Sequence, residues 1–258
     1  GRRDAALPAG VTSIVGDKAD PATYAALGEA RFDIVCQFMV FTPEQMQRDI
    51  ETFADRTEQY IFISSASVYE KPARHYVITE KTPTVNPYWG YSQSKIACET
   101  MLRQSIGLPY TIVRPSHTVR TGLPTLVGEG DLIPQRMLAG KPVIICGDGT
   151  APWTLTRSAD FAVPFVRLFG KGGALGEDFH ITADTAHSWD AIYRGIARGI
   201  GAEAKIQHVP TDTLVAYKPD WAGPLLGDKT WTALFDNSKI KGVVGDFQCA
   251  TDLDTILM

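Results

Sequence analysis

"YIFISSASVYE" (Tyr60–Glu70) opens with four apolar or aromatic residues in a row and then changes abruptly to serines. An unbroken apolar run of this length predicts a strand over residues 60–64 that is buried on both faces, as strands of parallel sheets are. "FDIVCQFMVF" (Phe32–Phe41) and "YTIVRP" (Tyr110–Pro115) repeat the pattern, and "VTSIV" (Val11–Val15) is a shorter β-branched run of the same kind. Helix signals separate them. Asp20-Pro21 and Thr42-Pro43 each place a capping side chain before a proline at the first helical position, and Met46, Ile50 and Phe53 follow at helical spacing. A further helix is predicted from about Tyr91 to Ser105. Strand and helix in alternation, with continuous apolar strands, predict an α/β fold: a doubly wound parallel sheet with helices on both faces.

Beyond Pro115 the alternation breaks into glycine-rich turns, a short helix at "LIPQRMLAGK", a strand at "PVIICGDG" and a helix at "SADFAVPFVRLFG" capped by Ser158. A strand at "DFHIT", a helix at "SWDAIYRGIARGIG" and a strand at "AKIQHVP" complete the order. This reads as a smaller C-terminal lobe that leaves and re-enters the main sheet. Residues 1–115, completed by about 154–184, form the first domain, and 116–153 with 185–258 the second. The chain of 258 residues is 44% apolar and 21% charged with a formal charge of −4, which offers no general attraction to phosphate backbones. Nucleic acid is therefore a disfavoured partner. No apolar run reaches membrane-spanning length, and the four scattered cysteines read as reduced core residues of a cytoplasmic protein. His180 and His187 have no metal-ligand spacing with cysteines or carboxylates, so no metal site is expected.

The ends of parallel strands are where such sheets bind ligands, and Ser64 and Ser65 lie at one. In "NPYWGYSQSK" (Asn86–Lys95), Tyr91 and Lys95 are four residues apart and so project from one helix face. An ammonium beside a phenol favours the phenolate, and a serine hydroxyl can hydrogen-bond a reacting oxygen; together they can move the proton of a carbinol or carbonyl.

"SSASVYE", "NPYWGYSQSK", "TIVRPS", "GKPVIICGDG" and "SADFA", in that order across most of the chain, resemble the short-chain dehydrogenase/reductases, in the extended branch of NAD-dependent epimerases and dehydratases. The resemblance implies a Rossmann-like fold, NAD or NADP as cofactor, and a sugar or nucleotide-sugar-like carbinol as substrate. It makes Ser65, Tyr91 and Lys95 catalytic, with Tyr91 as acid/base, Lys95 on the nicotinamide ribose and Ser65 on the substrate oxygen. Ser67 is the adjacent alternative for that contact. The cofactor path it implies runs past Asp17, Lys18, Phe38, Met39, Val40, Pro115 and Ser116, with His117 facing substrate. A homodimer paired through the helices around Ile50 and Cys98 is also implied.

Two features depart from that pattern. No Gly-x-x-Gly-x-x-Gly loop is present, and without one the cofactor pyrophosphate has no helix N-terminus to approach. The strand, loop, helix and strand that would hold it belong just upstream of Gly1, where Arg2 or Arg3 would favour NADP by reaching a 2′-phosphate. The second departure is in "GDGTAPWTLTRSAD" (Gly147–Asp160), where Trp153-Thr154 stand in place of the Arg-Asp pair whose arginine grips a substrate diphosphate. Trp153 thus becomes the substrate-side residue, and it cannot act as a bidentate phosphate clamp. This moves the resemblance toward the atypical branch that includes the chloroplast stem-loop RNA-binding proteins, and leaves a non-catalytic binding module, for RNA, as the alternative to an enzyme.

Overall fold

The computed structural model describes residues 8–17, 20–127 and 131–257. Four parallel strands form the central sheet in the order β1-β2-β4-β9: β1 (Phe32–Gln37), β2 (Thr57–Ile63), β4 (Tyr110–Pro115) and β9 (Glu177–Ile181). β2 begins earlier than residue 60 and ends at Ile63, which leaves Ser64 and Ser65 beyond its carboxyl end. Its apolar run is buried on both sides as a parallel strand requires. Tyr60 and Phe62 pack with Met46, Phe53, Cys98 and Leu102, while Ile61 and Ile63 pack on the other face with Phe161 and Phe165. Adjacent residues therefore feed separate cores, and helix α2 (Pro43–Phe53) with α3 (Gly90–Gln104) covers one face while α5 (Ser158–Arg167) covers the other.

The caps explain where the helices begin. Asp20 accepts the Ala22 N–H ahead of helix α1 (Pro21–Ala25), and Thr42 accepts the Gln45 N–H ahead of α2. Ser188 does the same for α6 (Trp189–Gly199) through Ala191. α5 differs from expectation: Arg157 occupies its cap position and Ser158 is already helical, so the serine caps nothing. Asp49 is the one charged residue on the inward stripe of α2, and it is fully buried because the hydroxyls of Tyr24 and Tyr60 both donate to it.

"VTSIV" is not a strand. Val11, Ile14 and Val15 lie in no regular element and are 54%, 43% and 53% exposed, and among the described residues no strand pairs with the free edge of β1. β-branched residues form a strand only where a neighbouring ladder takes up their backbone groups.

The remaining strands are short pairs: β3 (Val77–Ile78) with β12 (Leu234–Phe235), β5 (His117–Val119) with β8 (Leu155–Arg157), β6 (Val143–Cys146) with β11 (Ile206–Val209), and β7 (Pro152–Trp153) with β10 (His187–Ser188). A third core gathers behind them, built on Ile145, Trp153, Trp189, Ile192 and Tyr193, and receives helix α4 (Leu132–Leu138) through Ile133 and Met137. All four cysteines are free thiols. No helix among the described residues is long and apolar enough to cross a membrane.

Candidate active site

A cavity of about 300 Å³ opens at the carboxyl ends of β2 and β4. Ser65, Ser67, Tyr91, Pro115, Ser116, His117 and Trp153, seven of the residues singled out in the sequence, line it. After Ile63 the chain turns through a short 3₁₀ segment, Ala66–Val68, capped by the Ser65 hydroxyl accepting the Ser67 N–H at 3.1 Å. A hydroxyl chain follows: Ser92 Oγ donates to Ser67 Oγ at 2.8 Å, and Ser67 Oγ lies 2.9 Å from Ser65 Oγ. Ser67 is 3% exposed, and its hydroxyl is occupied by Ser92 on one side and Ser65 on the other. Ser65 also hydrogen-bonds the Tyr91 phenol, so the hydroxyl chain leads to Tyr91.

Tyr91 opens α3, its ring packed against Trp89 at 4.9 Å between centroids. Lys95, one turn on, is 1% exposed; its ammonium donates to the carbonyls of Val40 at 2.6 Å and Ile63 at 2.9 Å. It lies 5.8 Å from the centre of the Tyr91 ring. The expected depression of the phenol pKa is reversed here. Burial dominates and raises the Tyr91 pKa, opposed by its hydrogen bond with Ser65 and assisted by the Asp228 charge.

His117 opens β5, one residue past the end of β4. Trp153 Nε1–H donates to its Nδ1 at 3.2 Å, and an indole N–H can only donate, so the neutral ring carries its own proton on Nε2. Burial, with help from the Lys229 charge, pushes the imidazole pKa down to about 3. Trp153 itself is 3% exposed and tilts over Trp189 at 5.2 Å. Ser116 pairs with Thr156 at 2.9 Å.

Other expected contacts lie elsewhere. Val40 is buried and meets Lys95 only through its carbonyl, while Phe38 and Met39, 48% and 59% exposed, stand at the carboxyl end of β1 outside the cavity wall. Asp17 is also outside it; its carbonyl accepts the Asp20 N–H and the Thr23 hydroxyl, a turn that leads into α1. Lys18, Arg2 and Arg3 lie outside the described residues. Among the described residues no group of three or more histidine, cysteine or carboxylate side chains could hold a metal ion.

Three lining residues carried no signal in the sequence: Lys71, Asp228 and Lys229. Lys71 is 4% exposed although it follows a turn-rich stretch. Asp228 and Lys229 come from a π-helical turn, Leu225–Lys229, a rare geometry that recurs at functional sites. Asn86 joins the two walls, its amide donating to Ser67 O at 2.7 Å and to Gly227 O at 2.6 Å. Gly227 must be glycine, since a Cβ there would lie 2.6 Å from the Trp89 Cβ.

Against this geometry, residues 45–181 match the model of the NAD dependent epimerase/dehydratase family. The chain belongs to that family. Family relatives include the chloroplast stem-loop binding protein of 41 kDa b of Arabidopsis thaliana, 25% identical over 211 residues that cover 81% of this chain and 52% of that protein. The chain thus spans about half the length of that relative. 2′-Dehydrokanamycin reductase of Streptomyces kanamyceticus is 22% identical over 258 residues, covering 96% of this chain and 71% of the reductase. A short-chain dehydrogenase/reductase superfamily protein of Agrobacterium tumefaciens, solved with bound NAD, superposes with a TM-score of 0.70 at 19% identity over 96% of this chain and 84% of its own. At that identity the likeness is one of fold, and it agrees with the parallel sheet β1-β2-β4-β9.

Proposed function

We propose that the protein is an NAD(P)-dependent epimerase, dehydratase or reductase that oxidises or reduces a carbinol carbon on a small sugar-like substrate, with Tyr91, Ser65 and Lys95 as its working residues. The observation that carries this reading is the convergence of the Ser65 hydroxyl and the Tyr91 phenol on one open cavity at the strand ends, with Lys95 one helical turn on from Tyr91. The family membership and the NAD bound to the Agrobacterium relative support it.

The residues present fit the nicotinamide end of such a cofactor. Pro115 and Ser116 border the cavity at the carboxyl end of β4, and the exposed apolar side chains of Phe38 and Met39 offer a surface for a flat ring at the end of β1. When bound, the nicotinamide supplies the two-electron acceptor or donor for the carbinol carbon. The chain's own work is with the proton. In reduction the half-buried Tyr91, protonated at neutral pH, donates its proton to the carbonyl oxygen. In oxidation the phenolate takes the hydroxyl proton. Ser65 donates a hydrogen bond to the same oxygen, and Lys95 fixes the turn of α3 on which Tyr91 stands.

Tyr91→Phe tests the reading. It removes one hydroxyl from a packed ring, so melting should be near wild type while turnover of NAD(P)H with a panel of keto-sugars falls at least about a hundredfold. Turnover within a few-fold of wild type would rule out Tyr91 as the proton carrier.

A further inference from the structure

Apart from the Asp228 charge that helps raise the Tyr91 pKa, the proton chemistry makes no use of the charges that line the cavity. Lys71 and Asp228 both line it, and each shifts the titration of the other, yet among the described residues neither side chain has a hydrogen-bond or ion-pair partner. Lys71 is buried and Asp228 half-buried; a charge drawn largely out of water without a partner is costly, and two of opposite sign that line one space without an ion pair leave room for a group that satisfies both. Lys229 is different: its ammonium already donates to the carbonyls of Thr125 at 2.9 Å and Leu126 at 3.3 Å.

The chemistry of the missing group follows from the signs. A carboxylate would satisfy Lys71 and be repelled by Asp228, and an ammonium would do the reverse. A hydroxyl satisfies both, because its oxygen accepts from an ammonium while its proton goes to a carboxylate. We propose that Lys71 and Asp228 form a clamp for hydroxyls of a neutral polyol or sugar other than the one that reacts. The clamp is rigidly joined to the reacting end: Gly223 and Gly227 bring the turn that bears Asp228 directly onto Trp89, which in turn packs on Tyr91. The neutral imidazole of His117 adds no charge to the space. A cavity of about 300 Å³ is of a size for one sugar ring and lies at the lower end of the range for ligand pockets.

The clamp rests on the carbinol chemistry proposed above, and a ligand-observed NMR titration tests it apart from turnover. D-Galactose, D-galacturonate and D-galactosamine, probes of one ring with no charge, a negative and a positive one, are titrated into the wild type, Lys71→Met and Asp228→Asn. The wild type should bind galactose tightest. Lys71→Met should shift the galactosamine-to-galactose affinity ratio upward about tenfold, and Asp228→Asn should shift the galacturonate-to-galactose ratio upward by a similar factor. A ratio is insensitive to a uniform loss of folded protein, so a destabilised variant still answers. A wild type that prefers either charged sugar, fails to bind galactose up to its solubility, or has ratios unmoved by both substitutions overturns the clamp. Full turnover in Tyr91→Phe would sink the carbinol reading, whereas the roles of Lys71 and Asp228 stand or fall on these ratios alone.

Discussion

Asn86→Ala should separate the two walls of the cavity. The Asn86 side chain is 3% exposed, and its amide is the common donor to Ser67 O and Gly227 O, while its own oxygen accepts the Tyr88 N–H at 3.2 Å. Alanine leaves two buried carbonyls without a donor. Each such loss costs about 1–3 kcal/mol, and partial entry of water into the space vacated brings the sum to about 2–4 kcal/mol. A domain with about 5–15 kcal/mol of stability survives that loss, so the protein should fold but unfold at lower urea. Asn86→Asp is the sharper variant, because an ionised carboxylate only accepts and would face both carbonyl oxygens. It should be less stable than the alanine. Chemical denaturation followed by tryptophan fluorescence measures both. A loss below about 1 kcal/mol for alanine, or an aspartate variant as stable as wild type, would refute the bridging role.

Three other outcomes follow from the same geometry. The raised Tyr91 pKa means that the phenolate fraction grows with alkalinity, so kcat/KM for carbinol oxidation should climb about tenfold per pH unit from neutrality upward, and a profile flat above neutrality would contradict it. His117, with an ordinary pKa of 6.5 pushed down to about 3, refuses a proton that the unfolded chain accepts; stability should therefore fall as pH drops from 6.5 toward 3, and His117→Gln should spare about 2 kcal/mol of the loss between about pH 7 and pH 5 in urea titrations. Arg114→Met takes from the fully buried Glu99 the partner that holds it at 2.6 Å, leaving it Arg103 at 3.1 Å, and takes from Asp178 a second 2.6 Å contact, so it should cost about 3 kcal/mol by thermal or urea melting, while Arg114→Met with Glu99→Leu should recover part of it.

What the sequence made legible was local. The parallel strands declared themselves because a strand buried on both faces has no room for polar alternation, as Tyr60–Ile63 demonstrate. Tyr91 and Lys95 were findable because helical periodicity fixes their relation whatever surrounds them. The failures were of context. "VTSIV" has the composition of a strand, but pairing is decided by a neighbour and not by the run itself. The phenol pKa turned on burial, a tertiary quantity, against a charge that adjacency alone had suggested. Lys71, Asp228 and Lys229 carry no signal in the sequence because a lysine after a turn and an Asp-Lys pair beside a glycine have the composition of ordinary surface, and the return of Leu225–Lys229 against Trp89 brings them to the cavity wall. The π turn had no sequence mark. Asn86 was readable as part of a motif, but its role as a bridge needed Gly227 to be in place.

Helix α3 shows how the site is held. Lys95 and Glu99, four residues apart on one stripe, are 1% and 0% exposed, an expensive placement for two charges. Each is compensated by a different strand. Lys95 donates to Val40 O beyond β1 and to Ile63 O at the end of β2, and Glu99 receives both Arg114 Nε at 2.9 Å and Nη2 at 2.6 Å from β4. The helix is thereby fixed against three neighbouring strands by directional bonds, where apolar packing alone would let it slide by fractions of an ångström. Tyr91 is one turn before Lys95, and Ser65 is two residues beyond the carbonyl that Lys95 binds. The same ammonium therefore positions both hydroxyl groups of the site. Lys95→Met, which keeps the length of the side chain and removes its donors, should on this argument loosen the Ser65–Tyr91 pair in the absence of any cofactor. That loosening is measurable as lost amide-exchange protection at residues 63–67 and 90–95. Undiminished protection there would restrict Lys95 to work on a bound ligand.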